Sequence, residues 1–488
     1  MEMTRLERAR AYERTKKEEM NPQWKPVYHA AAPVGWVNDP NGFSIYQDEV
    51  HLFFQYYPYD MSWGPMHWGH CKSKDFIDWE YLPAVMAPGE AYDNFGCFSG
   101  SAIESEGEHV LIYTGVIEEE LEDGSKKMAQ VQCGASGDGL NYRKWDCNPI
   151  ITSDSLPEGS STVDFRDPKV WKKDGVYYLV VGSRNRDGSG QIALYQSKDL
   201  RAWEYCTILD CCNNEYGKMW ECPDFFPLGE KYLLVTSPQD MREEGLKFHK
   251  GNGVICVMGD YDEKEKKFTR KKVTAVDYGL DFYAPQSLET KDGRRVMIAW
   301  MQSWDANIAP KELGWVGMMT VPRELELVDG ELVQRPVREL NDYRKDLVRY
   351  EKIELSGRQS LEGISGRVMD LSLEIEEDGV ESFCLHIGHS EEYTTTITWN
   401  PKEATLEFDR NGSGMVRDVV CSRKMWVDTA DGRLHLRILL DRFSAEIFAN
   451  GGRQVMSNAF YTPLEADGIL FEVNGKAKVT VEKYDIVK

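Results

Sequence analysis

From about residue 33 onward the chain alternates short apolar runs with turns rich in Gly, Asp and Asn. Five runs are the strongest: His51–Tyr57, His109–Thr114, Val176–Val181, Lys231–Thr236 and Arg295–Trp300. Each follows a polar turn, such as Lys173-Asp174-Gly175 or Lys291-Asp292-Gly293. Aliphatic and aromatic runs bounded by such turns predict strands. The runs recur about every 60 residues, a spacing that holds a four-stranded unit and marks a propeller or array. A second signature follows in the first three units. There Ser73-Lys74-Asp75, Ser136-Gly137-Asp138 and Ser197-Lys198-Asp199 lead to Trp79, Tyr142 and Trp203. The fourth unit echoes it only in Gly259-Asp260-Tyr261. Five units of four strands predict an all-β, five-bladed β-propeller. An α/β barrel needs amphipathic helices between its strands, and the pattern contains none.

The flanking segments read differently. Residues 5–20 are good helix formers of mixed charge, which predicts a helical segment over 1–30 ahead of a propeller over 31–336. Residues 337–350 read as a charged, more helical linker. Over 351–488 alternation returns without the longer repeat, as in Val368–Ile375 and Ser444–Phe448, with turns at Asn411-Gly412 and Asn450-Gly451-Gly452. This predicts a C-terminal antiparallel β-sandwich.

Composition narrows the partners. The 488 residues carry 58 Lys and Arg against 81 Asp and Glu, a net charge of −23. That balance disfavours nucleic acid and anionic membranes, both of which reward clustered cations. No apolar run reaches the ~18 residues of a membrane span, and the charged N-terminus lacks a signal-like core. A cytoplasmic location with 11 reduced cysteines is therefore expected. Cys206, Cys211 and Cys212 crowd together without the paired spacing of a zinc site, so neither a metal nor a cofactor is expected. The 14 Trp, 24 Tyr and 18 Phe suit β packing and sugar-binding surfaces equally.

In a propeller the first strand of each blade lines the central channel. Reading back from each strong strand sets Asp39, Ser99, Asp167, Glu221 and Tyr283 in one register. Taken alone, Trp36–Gly42 is better explained as an Asx turn shaped by Pro40 and Gly42. Its register with two further acids favours chemistry. Acids gathered in a channel repel, which yields a proton donor beside a carboxylate. A retaining glycosidase uses that pair: one carboxylate attacks the anomeric carbon, and the other acid protonates the departing oxygen. Arg166 can hold Asp167 ionised and donate to a substrate. Trp36, Trp63, Trp220 and Trp300 can line the pocket or serve packing alone.

Five stretches stand in order between about residues 30 and 340: Trp36–Gly42 (WVNDPNG), Phe98–Ser101 (FSGS), Phe165–Pro168 (FRDP), Trp220–Asp224 (WECPD) and Asp281–Gln286 (DFYAPQ). Together they resemble glycoside hydrolase family 32, the invertase-like β-fructofuranosidases. The resemblance implies a five-bladed propeller followed by a β-sandwich, in agreement with the periodicity. It implies Asp39 as the nucleophile at C2 of a fructofuranosyl unit and Glu221 as the general acid, then the base. Asp167 would grip fructose hydroxyls and stabilise the transition state. Asn38, Gln55, Trp63, Ser99 and Arg166 resemble fructose-contacting positions, and Phe98, Tyr283 and Trp300 join them as candidate substrate contacts. Cys222 matches the family's cysteine after the acid, with an equal reading as a small buried residue.

The leaving sugar stays open. The family covers sucrose, sucrose 6-phosphate, fructo-oligosaccharides, inulin and levan, and sucrose or its 6-phosphate is the first expectation. Arg184 or Arg186 can meet a phosphate, although solvated loop charges are the commoner role for such residues. A related pentoside-cleaving propeller is the alternative enzyme, and a catalytically silent sugar-binding propeller is the non-enzymatic one. The sandwich is read as a brace, with a homodimer through it as the other option.

Overall fold

Strands joined by tight turns pair with their sequence neighbours, because short loops close at the lowest cost in chain entropy. That rule builds every blade. The computed structural model describes residues 3–306, 308–414, 420–429 and 432–488. Blade 1 runs Gly35–Tyr46, Glu49–Tyr57, His67–Ser73 and Trp79–Met86; blade 2 runs Gly96–Ser105, Glu108–Glu120, Lys126–Gly137 and Tyr142–Lys144. Blade 3 runs Phe165–Lys173, Val176–Arg184, Gly190–Ser197 and Trp203–Cys211; blade 4 runs Trp220–Leu228, Lys231–Pro238, Ile255–Asp262 and Lys267–Ala275. Blade 5 is Tyr283–Glu289, Arg295–Trp300, Arg323–Val328 and Glu331–Pro336. Each is antiparallel in sequence order, and the fold is a five-bladed propeller followed by a β-sandwich.

The recurring polar turn has a physical identity. Oδ1 of Asp75, Asp138 and Asp199 each accepts two backbone N–H groups from residues two and three further on. These are Asx turns, which suit a residue with a short carboxylate. Blade 4 places the same turn at Asp262 rather than Asp260. Blade 5 departs from the repeat: an insertion between its second and third strands carries Trp315–Val316, which pairs in parallel with Gly35–Trp36. Strand-to-strand bonding between the last blade and the first thereby closes the ring.

The helix is Arg5–Glu19, opened by a capping box in which Thr4 and Glu7 bond reciprocally. It lies on the outer strand of blade 1, where Arg10 Nε donates to the Ala84 carbonyl at 2.7 Å and Glu13 accepts from the Ala84 N–H at 3.0 Å. Among the described residues no helix is long and apolar enough to cross a membrane. The stretch read as a linker is a short 3-10 turn, Arg338–Tyr343, running straight into strand Arg344–Gln359. That strand is largely exposed, so it carries charges where alternation would otherwise mark it. It pairs with the long C-terminal strand Gly468–Ile486, which also pairs with Val368–Glu376 and Val380–His389 and ties the sandwich together.

Candidate active site

The inner strands are not regular. Pairing slips between Val37 and Pro40, Phe98 and Gly100, Arg166 and Lys169, Glu221 and Asp224, and Tyr283 and Gln286. One β-bulge per blade at one depth re-aims side chains into the channel. In blades 3, 4 and 5 the bulged residue has positive φ and precedes a proline: Asp167 at 68°, Cys222 at 48° and Ala284 at 51°. Non-glycine residues resist this conformation by about 1–3 kcal/mol each, and such strain collects at functional sites. Blade 2 places Ser99 in its bulge, followed by Gly100, where a Cβ would meet the Ile112 carbonyl oxygen at 2.1 Å.

The bulges sort the acids into two groups. Asp39 and Asp167 lie within their bulges, whereas Glu221 is the last paired residue ahead of its own. The single register expected for all three acids is therefore corrected: Glu221 is level with Arg166 of blade 3 and Tyr283 of blade 5. Those three form one set of contacts. Arg166 Nε donates to Glu221 Oε1 at 2.9 Å, and the Tyr283 hydroxyl donates to Oε2 at 2.7 Å. Arg166 is fixed in turn by Asp164 at 2.9 Å and Gln130 at 3.3 Å. Its hydrogen bonds thus go to Glu221, and toward the neighbouring Asp167 it acts through its charge, which favours the ionised form as expected but does not overcome burial and Glu221.

The bulge residues form the second set. Asp39 Oδ2 accepts from Ser99 Oγ at 2.6 Å, and Oδ1 accepts from Asn38 Nδ2 at 3.1 Å. Asn38 is itself fixed by Trp36 Nε1 at 2.8 Å. Asp167 Oδ2 accepts the Cys222 N–H at 3.0 Å, while the Asp167 N–H donates to Thr114 Oγ1 at 2.9 Å. The Cys222 thiol stands 3.6 Å from carboxylate oxygens of both Asp39 and Asp167. Burial, and then the two aspartates, push that thiol well up, so it keeps its proton and serves as a donor between them.

Charge crowding has the consequence expected of it. Burial first, then the charge of Glu221, raise Asp39, although Ser99 and Asn38 oppose the shift. Asp167 rises to about 7 for the same two reasons, against the pull of Arg166. One cation among three crowded acids, with Asp39 and Asp167 buried and Glu221 partly so, favours the protonated form of the two aspartates.

The remaining positions divide. Trp63 is exposed and edge-on to Phe98, with ring centroids 5.8 Å apart, at the rim. Gln55 is buried and donates to the Cys97 carbonyl at 3.0 Å. Trp300 is fully buried, closing the apolar strand Arg295–Trp300, and Trp220 is likewise buried away from solvent. The exposed ring is Trp304, which stacks on Trp36 at 6.1 Å and meets Trp300 edge-on. Its signal was legible: Trp304 follows the polar pair Gln302-Ser303, whereas Trp300 ends an apolar run. Arg184 is paired with Asp164 at 3.3 Å, and Arg186 lies at the surface.

Comparison with known proteins fits this geometry. The descriptions "Glycosyl hydrolases family 32 N-terminal domain" and "Glycosyl hydrolases family 32 C terminal" match residues 29–336 and 339–488. The chain belongs to glycosyl hydrolase family 32. It is an enzyme of the invertase-type β-fructofuranosidase family. It is 35% identical over 462 residues to a raffinose invertase of Escherichia coli, covering 94% of each chain. It is 36% identical over 485 residues to a sucrose-6-phosphate hydrolase of Zymomonas mobilis, covering 94% of this chain and 91% of that one. A Bombyx mori family 32 β-fructofuranosidase variant, solved in complex with sucrose, superposes with a TM-score of 0.87 at 33% identity, covering 100% of this chain and 99% of the other.

Proposed function

We propose that this family 32 enzyme is a retaining β-fructofuranosidase acting on sucrose-sized substrates through a covalent fructosyl-enzyme intermediate. The observation that carries the reading is the division of the acids into two differently held sets. Asp39 is gripped by Ser99 and Asn38, which keeps one carboxylate still and oriented as a nucleophile needs. Glu221 is held by a cation and a phenol, partners that a substrate hydroxyl can replace.

In this mechanism the fructosyl unit takes over Arg166, and Glu221, released, carries the proton to the glycosidic oxygen. Asp39 attacks C2 as that bond breaks. Glu221, now a carboxylate, removes a proton from water, which releases fructose and restores the enzyme. Asp167 grips the sugar hydroxyls, with its proton exchanged within the cluster. The test is leaving-group dependence in Glu221→Ala. kcat/KM, which reports formation of the intermediate, should fall far more on sucrose than on an aryl β-fructofuranoside whose phenolate needs no protonation; equal losses in kcat/KM would contradict the acid role. The named relatives leave sucrose and sucrose 6-phosphate as the two substrates to compare. Their relative kcat/KM decides between them.

A further inference from the structure

We infer that the C-terminal sandwich is a working part of the catalytic apparatus, in that it positions the general acid through the segment leading to Tyr283. This rests on the acid role of Glu221 proposed above. The residues that join blade 4 to blade 5, 276–282, do not run free over the surface. They lie along the sandwich edge strand Gln454–Ala459: the Tyr278 and Asp281 N–H groups donate to the Val455 and Ser457 carbonyls at 2.8 and 3.0 Å. The strand answers in kind, with the Ser457 N–H on Asp277 at 2.9 Å and the Ala459 N–H on Asp281 at 2.8 Å.

Two features make this a clamp and not a loose contact. A Cβ on Gly279 would meet the Ser457 carbonyl oxygen at 2.0 Å, so the two backbones touch. Arg410 of the sandwich, itself buried, bonds Asp281 at 2.5 Å and the Ala459 carbonyl at 2.7 Å. Two residues beyond Asp281 stands Tyr283, whose hydroxyl bonds Glu221. The next residue, Ala284, is held at positive φ with its N–H on Ser237 of blade 4. A strained turn keeps its shape only where its surroundings over-determine it. Here the sandwich fixes one side and blade 4 the other, so a shift of the clamp moves the phenol against the acid.

Arg410 is thus a positioning residue. In Arg410→Met the expected result is a fall in kcat on sucrose of about tenfold, with KM within twofold and a clearly smaller loss on the aryl fructoside. In a Tyr283→Phe background the same substitution should change kcat less than twofold, since its route to Glu221 is already cut. Leu406→Ala, in the sandwich core, should lower Tm without this kinetic signature. Arg410→Lys, which keeps the cation, should recover most of the loss; if Arg410→Met does not fold, Asp281→Asn, which keeps the shape but removes Arg410's charged partner, should show the same signature. The inference is overturned if kcat per folded molecule is unchanged, if both substrates lose equally while Glu221→Ala still discriminates between them, or if the two substitutions are additive. Should Glu221→Ala itself show no discrimination, it is the acid assignment that fails.

Discussion

The protein buries two clusters of acids, and they are built on opposite principles. At the seam between propeller and sandwich, His29 lies between Asp441 at 2.9 Å and Glu446 at 2.8 Å, and Arg323 bridges Glu446 and Asp277. Every acid there is also met by backbone donors: Asp441 by the N–H groups of 27, 28 and 29, Glu446 by Val321, and Asp277 by Gly279 and Ser457. Burial opposes the charge on His29, but its two acid partners outweigh it and raise it to about 9. Glu446 is lowered, because Arg323 and His29 overcome the effect of burial. Burial raises Asp277 even so, against Arg323 and Ser457, and the seam sets two cations, His29 and Arg323, among its three acids. The channel gathers three acids around a single guanidinium, and both of its aspartates, Asp39 and Asp167, rise. Acid content does not separate a structural cluster from a catalytic one. The supply of cations does, and a site that must move protons is left short of them.

The contrast is broken most forcefully by removing the proposed nucleophile. Asp39→Ala should lower kcat by about 10⁴-fold or more, and Glu221→Ala by about 10²–10⁴-fold on sucrose. Circular dichroism and Tm should stay close to those of the parent. His29→Ala should do the reverse. It leaves two buried acids without their shared cation and should cost about 3–5 kcal/mol in urea unfolding, with the specific activity of the folded enzyme retained.

The pH dependences should also oppose one another. His29 is raised above its unfolded value of about 6.5, so its stabilisation is complete below that pH and is lost as pH climbs through about 9. The stability gap between parent and His29→Gln should therefore narrow across that window. Asp167 is also raised, from 3.8 to about 7. Its protonated form favours the fold at low pH, and its ionisation costs stability as pH rises through 7. Asp167→Asn should accordingly be more stable than the parent at pH 8, on the order of 2 kcal/mol, and nearly equal at pH 4, while losing most of its activity. The smallest effect is expected at Cys222. Cys222→Ala keeps the backbone N–H on Asp167, so kcat should fall by less than about tenfold.

Much of this was readable from the chain. The blades follow from runs and turns that are local, and the channel residues follow from where each inner strand must lie. What was not readable depends on backbone detail or on distant partners. A bulge displaces Glu221 by one residue from Asp167, and only pairing shows it. That the exposed Trp304 stacks on the distant Trp36 is likewise seen only in the fold. The seam joins His29 to Asp441 and Glu446 across more than 400 positions, with no spacing to mark it. The charged edge strand Arg344–Gln359 lacks alternation because it is largely exposed, and its pairing is with a strand more than 100 positions away.

The most direct test of the central claim is to trap the intermediate. Without Glu221 an aryl β-fructofuranoside can still fructosylate the enzyme, but no base remains to hydrolyse the product, so the adduct should accumulate. Peptide mass spectrometry of Glu221→Ala after brief exposure should find one fructosyl group, attached at Asp39. A fructosyl group on Asp167, or aryl release that proceeds with no adduct on the protein, would contradict the account.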